Sequence, residues 1–326
     1  MAGEGRALPV APRPCPDERL SSWLARLADL YQVSLEELQE HVGWARPAAA
    51  LDFEPNGTDL ARIGQATAMP IERLLAMTFA TAPPRVRALT RRADRYVCPE
   101  CCAGEGPPPR LKAWAFAFAF WCARHGRPLA GSERNGARVL GDEAAARRGA
   151  ALIGAWAEGR ESGPPGVGAA FSLLLSPYRE PAPPAPWEVA RLPRAELESR
   201  PQVLAQACRR PGLAVVVPEL AAAAPVCDWR APEDPLGLRD ASFAERYAAA
   251  IGVVRVLRDP VDAAARVLAA ADAFGRRAVL ARTASWPFAL RLAVAQSAGG
   301  RRRTPVGARS GNVRLRDRRS GNGETA

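Results

Sequence analysis

Two short pairs of ligand-type residues constrain this chain more than any other feature in it. Cys98-Pro99-Glu100-Cys101 is followed, twenty residues later, by Cys122-Ala123-Arg124-His125. Each pair separates its two ligands by two residues, a turn tight enough to aim both side chains at one point. Two such turns can build a tetrahedral site, and zinc is the ion that this residue set and spacing suit. The chain has only seven Cys and two His, so the spacing points to a structural zinc site with Cys98, Cys101, Cys122 and His125 as ligands. Cys102 is an alternative ligand, although the spacing from Cys98 favours Cys101. Four protein ligands leave no position for water, so the site reads as closed rather than catalytic. Cys15, Cys208 and Cys227 stand alone and read as small apolar or surface residues.

The stretches around the knuckles are helical in pattern. Leu20, Trp23, Leu24, Leu27, Leu30 and Tyr31 repeat at the spacing of one buried helix face over residues 19–31, with Asp17 as the expected N-cap. A second helix is expected from Ser34, where Glu37 completes a capping box, to Gly43. His41 near its end has no ligand neighbours. After a Pro/Ala/Asn/Gly stretch over 45–57, a third helix begins at Thr58 or Asp59. A fourth has Pro70 at its first position. Each pair of helices has helix-turn-helix proportions. Pro83-Pro84 and a basic run from Arg85 to Arg95 lead into the knuckles. Trp114, Phe116, Phe118 and Phe120 alternate with alanine, which favours a period-two strand over a helix. So small a module buries little surface by itself, and bound zinc would supply on the order of 10 kcal/mol of its folding free energy.

The second half is less patterned. Asp142 to Trp156 reads as helix, Gly163 to Gly168 as a break, and 181–193 as a Pro-rich linker. Leu213 to Val217 reads as a short buried strand. Helices are expected over 242–257 and 260–274, then through Leu280, with a last one from Trp286-Pro287 to about Ala298. Residues 301–326 hold eight Arg against Asp317 and Glu324 and are expected to be disordered. That tail carries over half of the net charge of +11, so a polyanionic partner is expected to meet the tail more than the folded body.

Several chemistries have no residues to carry them. No Gly-rich loop with a Walker lysine is present, nor a Gly-x-Ser-x-Gly. The His-x-Glu that a nucleic-acid deaminase needs upstream of Pro-Cys-x-x-Cys is missing, since His41 is followed by Val42-Gly43. No catalytic residues are therefore assigned and the chain is not expected to be an enzyme. No run of about 18 apolar residues suggests a membrane span. Met1 to Pro14 has no apolar segment of signal-peptide type, so the expected location is cytoplasmic.

Two stretches together resemble the TniQ family of transposition accessory proteins, relatives of the target selector TnsD. The first is Pro16-Asp17-Glu18-Arg19-Leu20-Ser21-Ser22-Trp23-Leu24-Ala25-Arg26. The second is Tyr96-Val97-Cys98-Pro99-x-Cys101, then Trp114, then Cys122-x-x-His125-Gly126-x-Pro128-Leu129. Ser285-Trp286-Pro287 is similar to a late Trp-Pro in many members. The resemblance implies a target-selection adaptor joining DNA, or an RNA-guided Cascade-type complex, to an AAA+ ATPase of TniB/TnsC type and a transposase. It also implies zinc on Cys98, Cys101, Cys122 and His125. Where many members carry a second Cys-x-x-Cys, this chain has Ala130-Gly131-Ser132-Glu133-Arg134, so one zinc ion is expected. The alternative is a stand-alone, zinc-containing helix-turn-helix DNA-binding regulator.

The expected fold class is mainly α. A leader over 1–15 precedes a helix-turn-helix-like region over 16–95 and a zinc-ribbon-like module over 96–131. A helical or irregular segment over 132–180, the linker, a helical C-terminal domain over 194–300 and the Arg-rich tail follow.

Overall fold

Apolar spacing organises the first core. In the computed structural model α1 runs Leu20–Leu30, and the side chains of Leu20, Trp23, Leu24 and Leu27 are fully enclosed. Residues 7–92, 96–104, 106–130, 140–160, 165–180, 211–220 and 235–300 are described. The linker at 181–193, the tail at 301–326, Cys208 and Cys227 lie outside them. In α2, Leu35–Val42, Ser34 Oγ accepts from the Glu37 N–H while Glu37 accepts from the Ser34 N–H, closing the expected capping box. Gly43 ends α2 at φ 82°, a conformation that glycine adopts without a Cβ clash.

The stretch expected to be irregular holds one turn of helix, α3, Ala48–Leu51. Asn56 caps α4, Gly57–Thr67, by accepting from the Asp59 N–H. α5 runs Ile71–Ala76 with Pro70 just before it rather than inside it. Leu38, Leu60, Ile63 and Leu74 close this core against α1. Residues expected to be a loose leader are laid along it: Leu8 N–H donates to Ala66 C=O, and Trp23 Nε1 donates to Pro12 C=O.

Asp17 does not cap α1. It sits at φ 61°, and its carboxylate accepts instead from the Ala113 N–H, 2.9 Å away. Arg19 holds the N-cap position without a side-chain bond to the helix, because its guanidinium is used elsewhere.

The second core lies around one central helix. Following α6, Pro84–Ala88, and α7, Lys112–Ala115, come α8, Glu143–Ala157, and α9, Val167–Leu174. After α10, Leu213–Val216, and a 3-10 turn over Pro235–Asp240 stands α11, Phe243–Arg258. Every residue from Ala244 to Val253 in α11 is buried. It starts with a second capping box, Ser242 with Glu245. α12, Pro260–Ala270, and α13, Ala273–Arg282, are separate helices where the sequence suggests one over 260–274. The break is made by Asp272, which leaves helical geometry to cap α13. α14 runs Phe288–Gly300.

The short strand expected at Leu213 to Val217 is the single helical turn α10. Its valines are buried against α11 and α12, where no strand partner exists among the described residues. The strand expected at Trp114 to Phe120 is also absent. Trp114 lies in α7, and the following aromatics form turns and isolated bridges, Thr90 with Phe116 and Trp121 with Pro128. Alternation here does not separate a wet face from a dry one, because Ala117 and Phe118 are both buried. The described residues are helical with isolated bridges and no named strand.

The crossing of α8 over α11 depends on a missing side chain. A Cβ placed on Gly149 would stand 1.9 Å from the Ala250 carbonyl oxygen. Gly149→Ala must therefore push the two helices apart, and a loss of about 2 kcal/mol or more is expected from overpacking. Urea unfolding followed by circular dichroism checks this; an unchanged midpoint would mean that the helices do not meet so closely.

Candidate metal centre

The first knuckle is shaped by its backbone. The Cys102 N–H donates to the carbonyls of Cys98 and Pro99, folding 98–102 into a turn that brings Cys98 and Cys101 together. The second knuckle is the tip of a small hairpin: Cys122 N–H donates to Arg127 C=O, Gly126 N–H to Cys122 C=O, and Leu129 N–H to Phe120 C=O. Val97 and Ala130 exchange both of their backbone bonds and tie one knuckle to the other.

The result is one cluster. His125 Nδ1 lies 3.3 Å from the sulfurs of Cys98 and Cys101 and 3.8 Å from that of Cys122, and the Cys101 and Cys122 sulfurs are 3.8 Å apart. All four ligand atoms fall within 4.8 Å of one another. A tetrahedron of sulfurs about 2.3 Å from a central ion has edges of about 3.8 Å, so the set fits a four-coordinate metal. Cys98 and Cys122 are buried, Cys101 and His125 half-buried. Together the four could bind a metal ion, and no other such group of three or more occurs among the described residues. Cys102 is outside the group, and His41 is exposed in the last turn of α2. No helix among the described residues is long and apolar enough to cross a membrane.

The sulfurs repel one another's negative charge. Burial pushes the Cys101 thiol up to about 12, with further upward pressure from Cys122 and Cys98. Burial also raises the Cys122 thiol, but the backbone N–H groups of His125 and Arg124 and the Cys98 and Cys101 thiols outweigh it and hold that thiol below its ordinary value. A divalent cation at the centre is what would let three thiolates share so small a volume.

Two buried arginines hold the knuckles to the rest of the molecule, and sequence reasoning finds neither. Arg19 donates from Nε and Nη2 to Asp52 Oδ2 at 3.1 and 2.8 Å, with the Arg19 and Asp52 side chains 3% and 0% exposed. Ser21 adds two bonds to the same carboxylate. Beside it Glu18 accepts from Cys15 N–H, Ser22 Oγ and Arg26 Nη1. Ser22 Oγ in turn accepts from the Arg110 N–H, and Arg19 N–H donates to Arg110 C=O. The polar positions of the Asp17-Glu18-Arg19-Leu20-Ser21-Ser22 run are thus internal fasteners. They grip residues 110–113, the strap between the two knuckles.

From the other side Arg246 of α11 is 1% exposed. It donates to the carbonyls of Ala117 and Ala241 and to the Tyr96 hydroxyl. The aromatic row completes the joint: Phe120 meets Phe243 and Tyr247 with ring centres 5.3 and 5.2 Å apart, and Phe118 meets Phe171. A signal for Arg246 existed only in its place within an otherwise apolar helix, where a buried cation needs partners.

The chain is therefore a mainly helical protein in which a Cys₃His cluster capable of holding a metal is braced between two helical cores. Residues 9–129 match the TniQ family model, and over that span the chain carries a TniQ domain. The match covers α1 to α7 and ends just beyond the second knuckle, so all four cluster residues lie inside it. The domain marks a transposition-associated protein. No curated protein and no solved structure matches the chain.

Proposed function

We propose that this chain is a non-enzymatic adaptor in DNA transposition. In this reading it links target-site recognition, on DNA or on an RNA-guided Cascade-type complex, to an AAA+ ATPase regulator of TniB/TnsC type and so to the transposase. Its metal is one structural zinc ion held by Cys98, Cys101, Cys122 and His125 in the ribbon-like module of 96–131. The helix-turn-helix-like region of 16–95 stands in front of it, and the protein works in the cytoplasm. The observation that carries the reading is the TniQ match over 9–129 with all four ligand positions filled. A closed ligand set supports a scaffold rather than a reaction centre, because it leaves no open coordination position. The test is capture of the AAA+ ATPase encoded beside this gene by the purified chain. Retention at micromolar concentration is expected, and no retention with the zinc-loaded protein counts against the adaptor.

A stand-alone DNA-binding regulator is the second reading, favoured by the two αα pairs and by the eight Arg of 301–326. It predicts salt-sensitive DNA affinity. Removing the tail should flatten the logarithmic salt slope by about 0.9 for each phosphate that the tail neutralises. An unchanged slope after deleting 301–326 would discard the tail as the DNA-binding element.

A further inference from the structure

A groove of about 630 Å³ opens where the knuckles meet the second helical core. Its walls come from both sides. Pro99, Glu100, Arg127 and Pro128 belong to the knuckles, while Asp142 and Glu143 start α8 and Phe243 and Tyr247 start α11. Trp121 and Phe243 are half-buried and offer ring surface to an occupant, over a floor of buried Phe120 and Leu129. Three carboxylates, Glu100, Asp142 and Glu143, stand against Arg127 among the described lining residues. That acidic balance is local, in a chain whose net charge is +11.

Each carboxylate commits only part of itself to the fold. Glu100 Oε1 takes Arg127, and Glu143 Oε1 takes Arg147. Asp142 Oδ1 accepts from the Ala145 N–H, with its other oxygen 3.8 Å from Arg255. The rim also shows how such a surface holds a guanidinium. Arg147 lies 4.4 Å from the Trp121 ring centre while it bonds Glu143 and the Gly126 carbonyl. Aromatic faces beside carboxylates attract cations through both the ring quadrupole and the charge. The Tyr247 hydroxyl feels the same field: burial first, then Glu143 and Asp142, raise it, with Arg147 opposing.

We propose that this groove is a docking site for a partner-protein segment that presents an arginine or lysine between apolar side chains. The apolar neighbours would lie on Trp121 and Phe243, and the cation would reach the second oxygens of Glu100, Asp142 and Glu143. The inference goes beyond the adaptor reading and does not depend on the partner being an ATPase. Because one wall is the first knuckle, the site is complete only when the knuckles are folded.

The test uses the full-length chain and fluorescein-labelled, end-blocked pentapeptides, Leu-Arg-Leu-Arg-Leu and Leu-Glu-Leu-Glu-Leu, read by anisotropy. The basic peptide is expected to bind saturably and the acidic one not to bind. Glu143→Arg, remote from the metal ligands, should weaken binding about tenfold, and Glu100→Gln with Glu143→Gln by a similar factor. Circular dichroism and metal content check that each variant is folded. Equal binding of the two peptides, or an undiminished affinity in folded Glu143→Arg, would overturn the proposal. So would displacement of the basic peptide from the groove by a single-stranded oligonucleotide, which would make it a nucleic-acid site. Stronger competition by a synthetic 301–326 peptide than by Leu-Arg-Leu-Arg-Leu would make the chain's own tail the occupant, and would equally overturn it.

Discussion

Cys98→Ser is expected to release the bound metal and unfold the segment from Tyr96 to Ala130. Little else holds that segment in shape. Its own apolar cluster is Tyr96, Cys98, Trp114, Cys122 and Leu129, and two of those five are ligands. Coordination of a structural zinc supplies on the order of 10 kcal/mol at neutral pH, more than so small a cluster can provide. Loss of the fold should appear as rapid hydrogen exchange at the paired amides of Val97 and Ala130 and as a changed near-ultraviolet spectrum from Trp114 and Trp121. The first α-helical core should survive, since Trp23, Leu24 and Ile63 pack among themselves. A Cys98→Ser chain that keeps stoichiometric zinc and its exchange protection would remove Cys98 from the ligand set. Adding Cys102→Ser then asks whether the neighbouring thiol has taken its place. Affinity should also rise with pH. Cys101, pushed up to about 12 without an ion, is protonated at pH 7 and must lose that proton on binding.

Arg19→Met is the second large effect. The guanidinium and the Asp52 carboxylate are both enclosed, so removing the cation leaves a buried carboxylate without its counter-charge. Such losses run to about 3–5 kcal/mol. The pH dependence has a definite sign. Burial already raises the Asp52 carboxyl, against the pull of Arg19 and Ser21, and without Arg19 it rises further. A carboxyl with a raised folded-state value contributes stability below its unfolded value and loses it as pH climbs through the folded one. The variant should therefore be closest to the parent near pH 4 and fall progressively behind it towards pH 8. Urea midpoints across that range check the trend, and a pH-independent difference would contradict the ion pair. Replacing both members, Arg19→Met with Asp52→Leu, should recover much of the loss, because no charge is then left buried.

What the sequence reveals and what it hides follow from the range of the interactions. The knuckles are readable because ligand spacing is a local property, fixed within four residues at each end. The capping boxes at Ser34 and Ser242 act over three residues, and the expected helices begin there. The aromatic row misleads because a period-two pattern reports a strand only when one of its faces meets solvent. Here Ala117 is enclosed along with Phe118, so the alternation carries no facing information. Asp17 looks like a cap from its position before α1, but its carboxylate binds the strap at Ala113, 96 residues away. Arg19 with Asp52 and Arg246 with Tyr96 are partners 33 and 150 residues apart, and no local rule pairs them. The family motif therefore shows as a string of letters before its physical content is visible. Its apolar members fill the first core, and its polar members fasten that core to the knuckles.

X-ray absorption at the zinc edge of the purified chain tests the central claim most directly. The account predicts one zinc per chain with three sulfurs at about 2.3 Å, one nitrogen at about 2.0–2.1 Å and no oxygen ligand. A four-sulfur shell would bring Cys102 into the site in place of His125. A bound oxygen would make the centre open, and a non-catalytic, closed scaffold would no longer describe it.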